Sequence, residues 1–125
     1  MDSIILSDRH HMEAGSAIRQ AKKGTAELFV LALLEDEPRH GYELVRLIAE
    51  RSQGALTFNF ASLYATLYKL EERSLIQGRW VERAGQRRRR YYRITEKGRA
   101  TLEAQRKEWR QFFDLVRDLA GLAHA

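Results

Sequence analysis

A chain of 125 residues, 44% of them hydrophobic, is long enough for one compact core and too short for a second independent domain. Its 22 Lys and Arg against 17 Asp and Glu leave a net charge of +5, which favours an anionic partner, either nucleic acid or a membrane surface. No apolar run approaches the roughly 18 residues of a membrane span. The start MDSIILSDRHH lacks the basic-then-apolar layout of a secretory leader, and the absence of cysteine excludes disulfides, thiolate zinc sites and a cysteine nucleophile, so the expected setting is the cytoplasm.

Residues 1–23 mix polarities, with His10, His11 and Gly15 interrupting any period ahead of Arg19, Lys22 and Lys23, and read as a short helix or an arm. From Gly24 the pattern sharpens. Leu28, Leu31 and Leu34 recur at helical spacing, thickened by Val30 and Leu33, until the single proline, Pro38, stops the helix. His40 to Arg51 is a second amphipathic helix, with Leu44, Val45, Leu47 and Ile48 on one side and Glu43, Arg46 and Glu50 on the other. Gly54 and ALTFNF break the period. Asn59 then stands where an N-cap belongs, able to accept from the amide near Ser62.

A third helix is predicted from about Phe60 to Arg73, its apolar positions being Leu63, Leu67 and Leu70. Ser62, Thr66 and Lys69 share another face, polar, short-chained and basic. After Leu75 the period becomes that of a strand, with Ile76, Gly78 and Trp80 alternating with Gln77, Arg79 and Val81. Ala84, Gly85 and Gln86 are turn material, and RRRRYYRIT is a second strand, so the two pieces form a β-hairpin. Thr95 caps a last helix from about Glu96 to Leu119, which carries Leu102, Trp109, Phe112, Val116 and Leu119 at steps near 3.5 residues. At about 36 Å it is longer than so small a domain needs, and it is expected to pair with a second copy of itself.

Three helices followed by a hairpin give a mainly α fold, a winged helix-turn-helix domain over residues 24–95 with a dimerisation helix over residues 96–125. In that arrangement the third helix enters the major groove of double-stranded DNA and the hairpin lies along the backbone. Between Arg79 and Arg99 nine basic residues face only Glu82 and Glu96. A hairpin this basic repels itself unless a phosphate chain lies nearby, and the planar fork of arginine suits phosphate. Alternation along a strand turns two of Arg87, Arg88, Arg89 and Arg90 toward DNA at once. Asn59, Ser62, Thr66 and Lys69 are the candidates on the third helix, and their face is expected beside the hairpin as one cationic footprint.

From Gly24 onward, over about four-fifths of its length, the chain resembles the PadR family of transcriptional regulators. The resemblance rests on ELFVLALLEDEPRHGYEL, SLYATLYKLEERSLI and RRRRYYRITEKGR. Two positions depart from the family pattern. Ala65 stands where proline usually follows the Leu-Tyr pair, and Ser74 stands where glycine usually precedes the wing and must take the backbone angle of that glycine. The resemblance implies a homodimeric repressor on an inverted-repeat operator, with Tyr42 and Tyr64 touching the sugar-phosphate backbone. It also implies release by a small aromatic effector at Trp109, counted from the TEKGR segment, with Phe112 and Phe113 able to extend a stacking surface.

Spacing alone assigns Trp109 and Phe112 to the dimer seam with Leu102, Val116 and Leu119. No catalytic constellation or phosphate-cradling glycine loop stands out, which excludes an enzyme, and no cofactor is expected. His10, His11 and Glu13 make at best a weak metal site, since adjacent histidines point apart. The competing class is a protein-interaction module in which the last helix joins a partner and the arginines only solvate the hairpin.

Overall fold

The computed structural model describes residues 24–122; the expected N-terminal arm, with His10, His11 and Glu13, lies outside them. The order is α1 (Thr25–Leu33), β1 (Arg39–His40), α2 (Gly41–Arg51), α3 (Phe60–Glu72), β2 (Ile76–Val81), β3 (Arg89–Ile94) and α4 (Glu96–Ala120). This is the winged helix-turn-helix succession, with one strand more than the sequence suggests.

Three of the four helices begin on a side chain that accepts from one of their first amides, and α1 begins on a glycine turn. α1 starts after Gly24, held in the left-handed region at φ 95°, and closes on Leu34, whose N–H bonds to the Val30 carbonyl at 3.0 Å. Pro38 lies beyond, so the helix has ended before the proline and not at it. α2 opens on a reciprocal cap in which the Glu43 N–H donates to His40 Nδ1 at 3.3 Å while the His40 N–H donates to Glu43 Oε1 at 3.2 Å. A histidine here fills the role usually taken by serine or threonine. Asn59 caps α3 as expected, its Oδ1 accepting from the Ser62 N–H at 2.7 Å.

α3 ends in a left-handed turn with two closing bonds, Ser74 N–H to the Glu71 carbonyl and Leu75 N–H to the Leu70 carbonyl, both 3.0 Å. This is the Schellman arrangement, accompanied by the contact of buried Leu70 and Leu75. Its left-handed position is Ser74 at φ 62°, so a serine does adopt the angle that suits glycine. The sheet that follows is antiparallel in the order β1-β3-β2. β1 pairs Arg39 with Tyr92 and His40 with Tyr91, and β2 pairs Ile76 with Ile94 through to Val81 with Arg89. The expected hairpin is therefore two-thirds of a three-stranded sheet; β1 is two residues long, too short to show a period. β3 begins at Arg89, which leaves Arg87 and Arg88 in the connection rather than in the strand.

The core is built from Val30, Leu31 and Leu34 of the first segment, Leu44 and Ile48 of α2, Leu63, Leu67 and Leu70 of α3, Leu75, Ile76 and Ile94 at the base of the hairpin, and Leu102 of α4. Leu102 corrects the sequence expectation. It has no exposed surface within one protomer, so it has none to give to a second, and it completes the core instead of the dimer seam. The first turns of α4 are fixed around it by a two-pronged pair from Arg106 to Glu35, 2.8 and 2.9 Å, and by Arg99 donating to the Glu35 carbonyl at 3.0 Å. Arg106 holds the Glu35 carboxyl below the ordinary carboxylate range. At 25 residues, about 37 Å, α4 runs well past this attachment.

Candidate nucleic-acid interface

The surface between α3, the start of α2 and the hairpin begins with the periodicity of α3. With Leu63, Leu67 and Leu70 buried, a turn of about 100° per residue leaves two exposed flanks separated by an outward ridge. Phe60, Tyr64 and Glu71 lie on one flank, Ser62, Thr66 and Lys69 on the other, and Ala61, Ala65 and Tyr68 between them. The hairpin sits against the first flank. Arg90 Nη2 reaches Glu71 Oε2 at 2.6 Å and the Gly78 N–H donates to the same oxygen at 3.1 Å, which ties both hairpin strands to α3. The polar flank of Ser62, Thr66 and Lys69 is thus on the far side of the helix from the hairpin. This corrects the expected side-by-side placement: aromatic rings and Glu71 adjoin the wing.

Those rings form a continuous row. Tyr42 stacks on Phe60 with centroids 6.1 Å apart, and Phe60 stacks on Tyr64 at 6.3 Å; all three are exposed. Gly41 makes the row possible, since a Cβ there would stand 2.6 Å from the Tyr64 hydroxyl oxygen. The family resemblance points to Tyr42 and Tyr64 of this row; Phe60, and the exposed Tyr68 one turn further on, were not singled out. The repeat of aromatics at positions 60, 64 and 68 was the available signal.

The cross-strand register sorts the arginines by face. Trp80 lies opposite Arg90, and Arg88, in the connection just before β3, reaches the same ring. The guanidinium carbon of Arg88 stands 4.8 Å from the Trp80 ring centroid and that of Arg90 5.7 Å from it. Arg89 turns the other way, its Nη1 2.8 Å from His40 Nε2. Together His40, Tyr42, Tyr64, Trp80, Tyr92 and arginines 87 to 90 line an open cleft between the hairpin and the helices. Trp80, 52% exposed, and Glu71 were not singled out from the sequence.

The other candidates are placed simply. Asn59 is exposed, but its oxygen is occupied by the cap, leaving its amide group to donate outward. Thr66 donates to the Ser62 carbonyl at 3.1 Å, and Lys69 is exposed near the end of α3. Burial is the main influence that lowers His40 from its ordinary value, and it likewise raises Tyr92.

Away from this cleft, Trp109, Phe112 and Phe113 form a ring cluster on α4 with centroids 5.7 to 6.4 Å apart. Among the described residues no group of three metal-ligating side chains occurs, and no helix is long and apolar enough to cross a membrane.

Comparison with known proteins agrees with this fold. The profile of the Transcriptional regulator PadR-like family matches residues 30–104. The transcriptional regulator YqjI of Escherichia coli is 34% identical over 100 residues, covering 80% of this chain but only 46% of YqjI. The PadR-family regulator of Eggerthella lenta superposes with a TM-score of 0.72 at 28% identity, covering 84% of this chain and 89% of its own. PadR of Bacillus subtilis, solved in complex with operator DNA, shares the fold at a TM-score of 0.59 and 20% identity, over 65% of this chain and 46% of that one.

Proposed function

Because the chain belongs to the PadR-like family of transcriptional regulators, and is accordingly a regulator and not an enzyme, we propose that it binds an inverted-repeat operator in double-stranded DNA as a two-fold homodimer. It represses from that site until a small aromatic effector releases it. The observation that carries the reading is the shared cleft: an exposed aromatic flank of α3 and an arginine-rich hairpin, tied to each other through Glu71, open onto the same side of the molecule. Residues 24–95 then form the DNA-binding unit and residues 96–125 the pairing helix.

In this reading α3 lies in the major groove. Its outward ridge and the Ser62, Thr66 and Lys69 flank meet one wall, while Tyr42 and Tyr64 reach the backbone on the wing side. Asn59 donates from its free amide group. The arginine run 87 to 90 makes the wing cationic. Half-sites are expected about one DNA turn, roughly 34 Å, apart.

The test is a titration of labelled intergenic duplex from upstream of the protein's own coding sequence at increasing potassium chloride. Affinity should fall steeply with salt. Lys69→Ala should weaken binding and reduce the log-log salt slope by about 0.9, and Tyr64→Phe should weaken it with no change in melting temperature. A protein that shifts no duplex at low salt belongs to the interaction-module class, and unchanged binding in both variants removes α3 from the groove.

A second reading is supported by the Trp109, Phe112 and Phe113 cluster, which offers planar faces for an aromatic effector as well as rings for the seam. The chain has two tryptophans, so the probe is a Trp80→Phe background titrated with planar aromatics. Saturable quenching of Trp109 supports an effector site, and none across a broad panel leaves those residues as seam alone.

A further inference from the structure

We propose that the four arginines of the wing are divided in role: Arg90 is an internal latch, and Arg88, held on the Trp80 indole, is the cation offered to a phosphate. The proposal rests on the DNA-binding reading and specifies how the wing performs it.

Arg90 is half-buried and its contacts lie within the protein. Its guanidinium carbon stands 5.7 Å from the Tyr92 ring centroid and 5.7 Å from that of Trp80, while Nη2 bonds to Glu71 Oε2 at 2.6 Å. Gly78 is what lets it lie there, because a Cβ at that position would meet the guanidinium at 2.5 Å. Glu71 also accepts from the Gly78 N–H, so one carboxylate joins α3 to both strands. A phosphate that drew Arg90 Nη2 away from Glu71 would leave that carboxylate near DNA without its cation, a repulsive outcome. The latch therefore neutralises the carboxylate at the junction of α3 and the hairpin and fixes the angle of the wing against α3.

Arg88 shares the Trp80 face but has no such anchor. It is exposed, lies beyond the end of β3, and its described contact is the indole beneath it at 4.8 Å. Stacking a guanidinium on an aromatic face leaves its N–H fork free at the edges and removes much of the rotamer freedom that binding would otherwise have to freeze. This accounts for a large indole left 52% exposed on a charged wing. Trp80 is a positioning residue, acting on DNA through Arg88.

The experiment compares Arg88→Gln, Arg90→Gln, Trp80→Ala and Trp80→Phe with the parent protein on the same intergenic duplex, reading the salt slope and the melting temperature for each. Arg88→Gln should lower the slope by about 0.9 at unchanged melting temperature. Trp80→Ala should weaken binding several-fold and lower the slope in the same way, and Trp80→Phe, which restores a ring, should recover both. Arg90→Gln should lower the melting temperature and leave the slope at the parent value.

A slope that drops for Arg90→Gln as it does for Arg88→Gln overturns the latch. A slope unchanged in Trp80→Ala, or lost equally in Trp80→Phe, overturns the platform. If the parent protein itself shows no salt-dependent binding, the DNA reading fails and this proposal with it; parent binding without the predicted differences among variants sinks this proposal alone.

Discussion

A neutral His40 ring is a condition of the α2 start, because Nδ1 can accept from the Glu43 N–H only while it carries no proton. Burial is the largest influence on this ring and disfavours its charged form; Arg89 and Arg46 act in the same direction and Glu43 alone opposes them. The folded value therefore lies below 6.5. As pH falls through about 6.5 the unfolded chain takes up the proton first, so the stability that His40 contributes is present above that pH and lost on acidification toward the folded value. Urea midpoints measured from about pH 8 to about pH 5.5 should decline, and His40→Asn, which keeps a capping oxygen without titrating, should flatten that decline. Ser74 is the opposite kind of residue, strained at every pH. It holds φ 62° in the closing turn of α3, where an L side chain costs about 1–2 kcal/mol that glycine avoids. Against the extra freedom glycine gives the unfolded chain, Ser74→Gly should still raise stability by about 0.5 to 1 kcal/mol, measurable as a higher denaturant midpoint at constant slope.

Among the elements, the base of the wing is where three of them are knotted. The Thr95 hydroxyl accepts from the Gly98 N–H at 3.0 Å to cap α4, and donates toward the Ser74 and Leu75 carbonyls at 2.7 and 3.1 Å. Lys97 donates to the Arg73 carbonyl at 3.0 Å, neutralising the C-terminal end of α3. Gly98 must be glycine because a Cβ would stand 2.0 Å from the Leu75 carbonyl oxygen, which is backbone and cannot swing aside. Gly98→Ala should thus destabilise the protein by about 1–3 kcal/mol in spite of alanine's better helix propensity, as thermal unfolding would register.

Much of this scale was legible beforehand. The apolar positions of α3, the caps Asn59 and Thr95 and the change of period at Ile76 follow from neighbours in sequence, so local physics suffices. What escaped depends on distant partners or on too few residues. β1 has two residues and exists only through pairing with β3; His40 is an unusual cap; Glu71 meets Arg90 across 19 positions, and only that contact decides which flank of α3 faces the wing.

At the scale of the whole molecule, α4 changes character along one stripe. Leu102 is sealed in the core, Trp109, Phe112 and Val116 are half-buried, and Leu119 is 80% exposed. The stripe is continuous in sequence, which is why its inner end was assigned to the seam along with its outer end; only packing marks where one protomer stops. A second copy laid on the outer stretch would bury Leu119 in both protomers by symmetry, at about 1.5–3 kcal/mol per side chain. Leu119→Lys should therefore raise the dimer dissociation constant by two orders of magnitude or more, as sedimentation would detect at micromolar protein. Because Leu119 lies outside the core, secondary structure should be retained. Operator affinity should fall with it, since two half-sites held by one rigid pair bind with an effective concentration that separate protomers lack. A Leu119→Lys protein that still sediments as a dimer would move the seam off this stretch of α4, and one that is monomeric yet binds the operator undiminished would sever pairing from recognition.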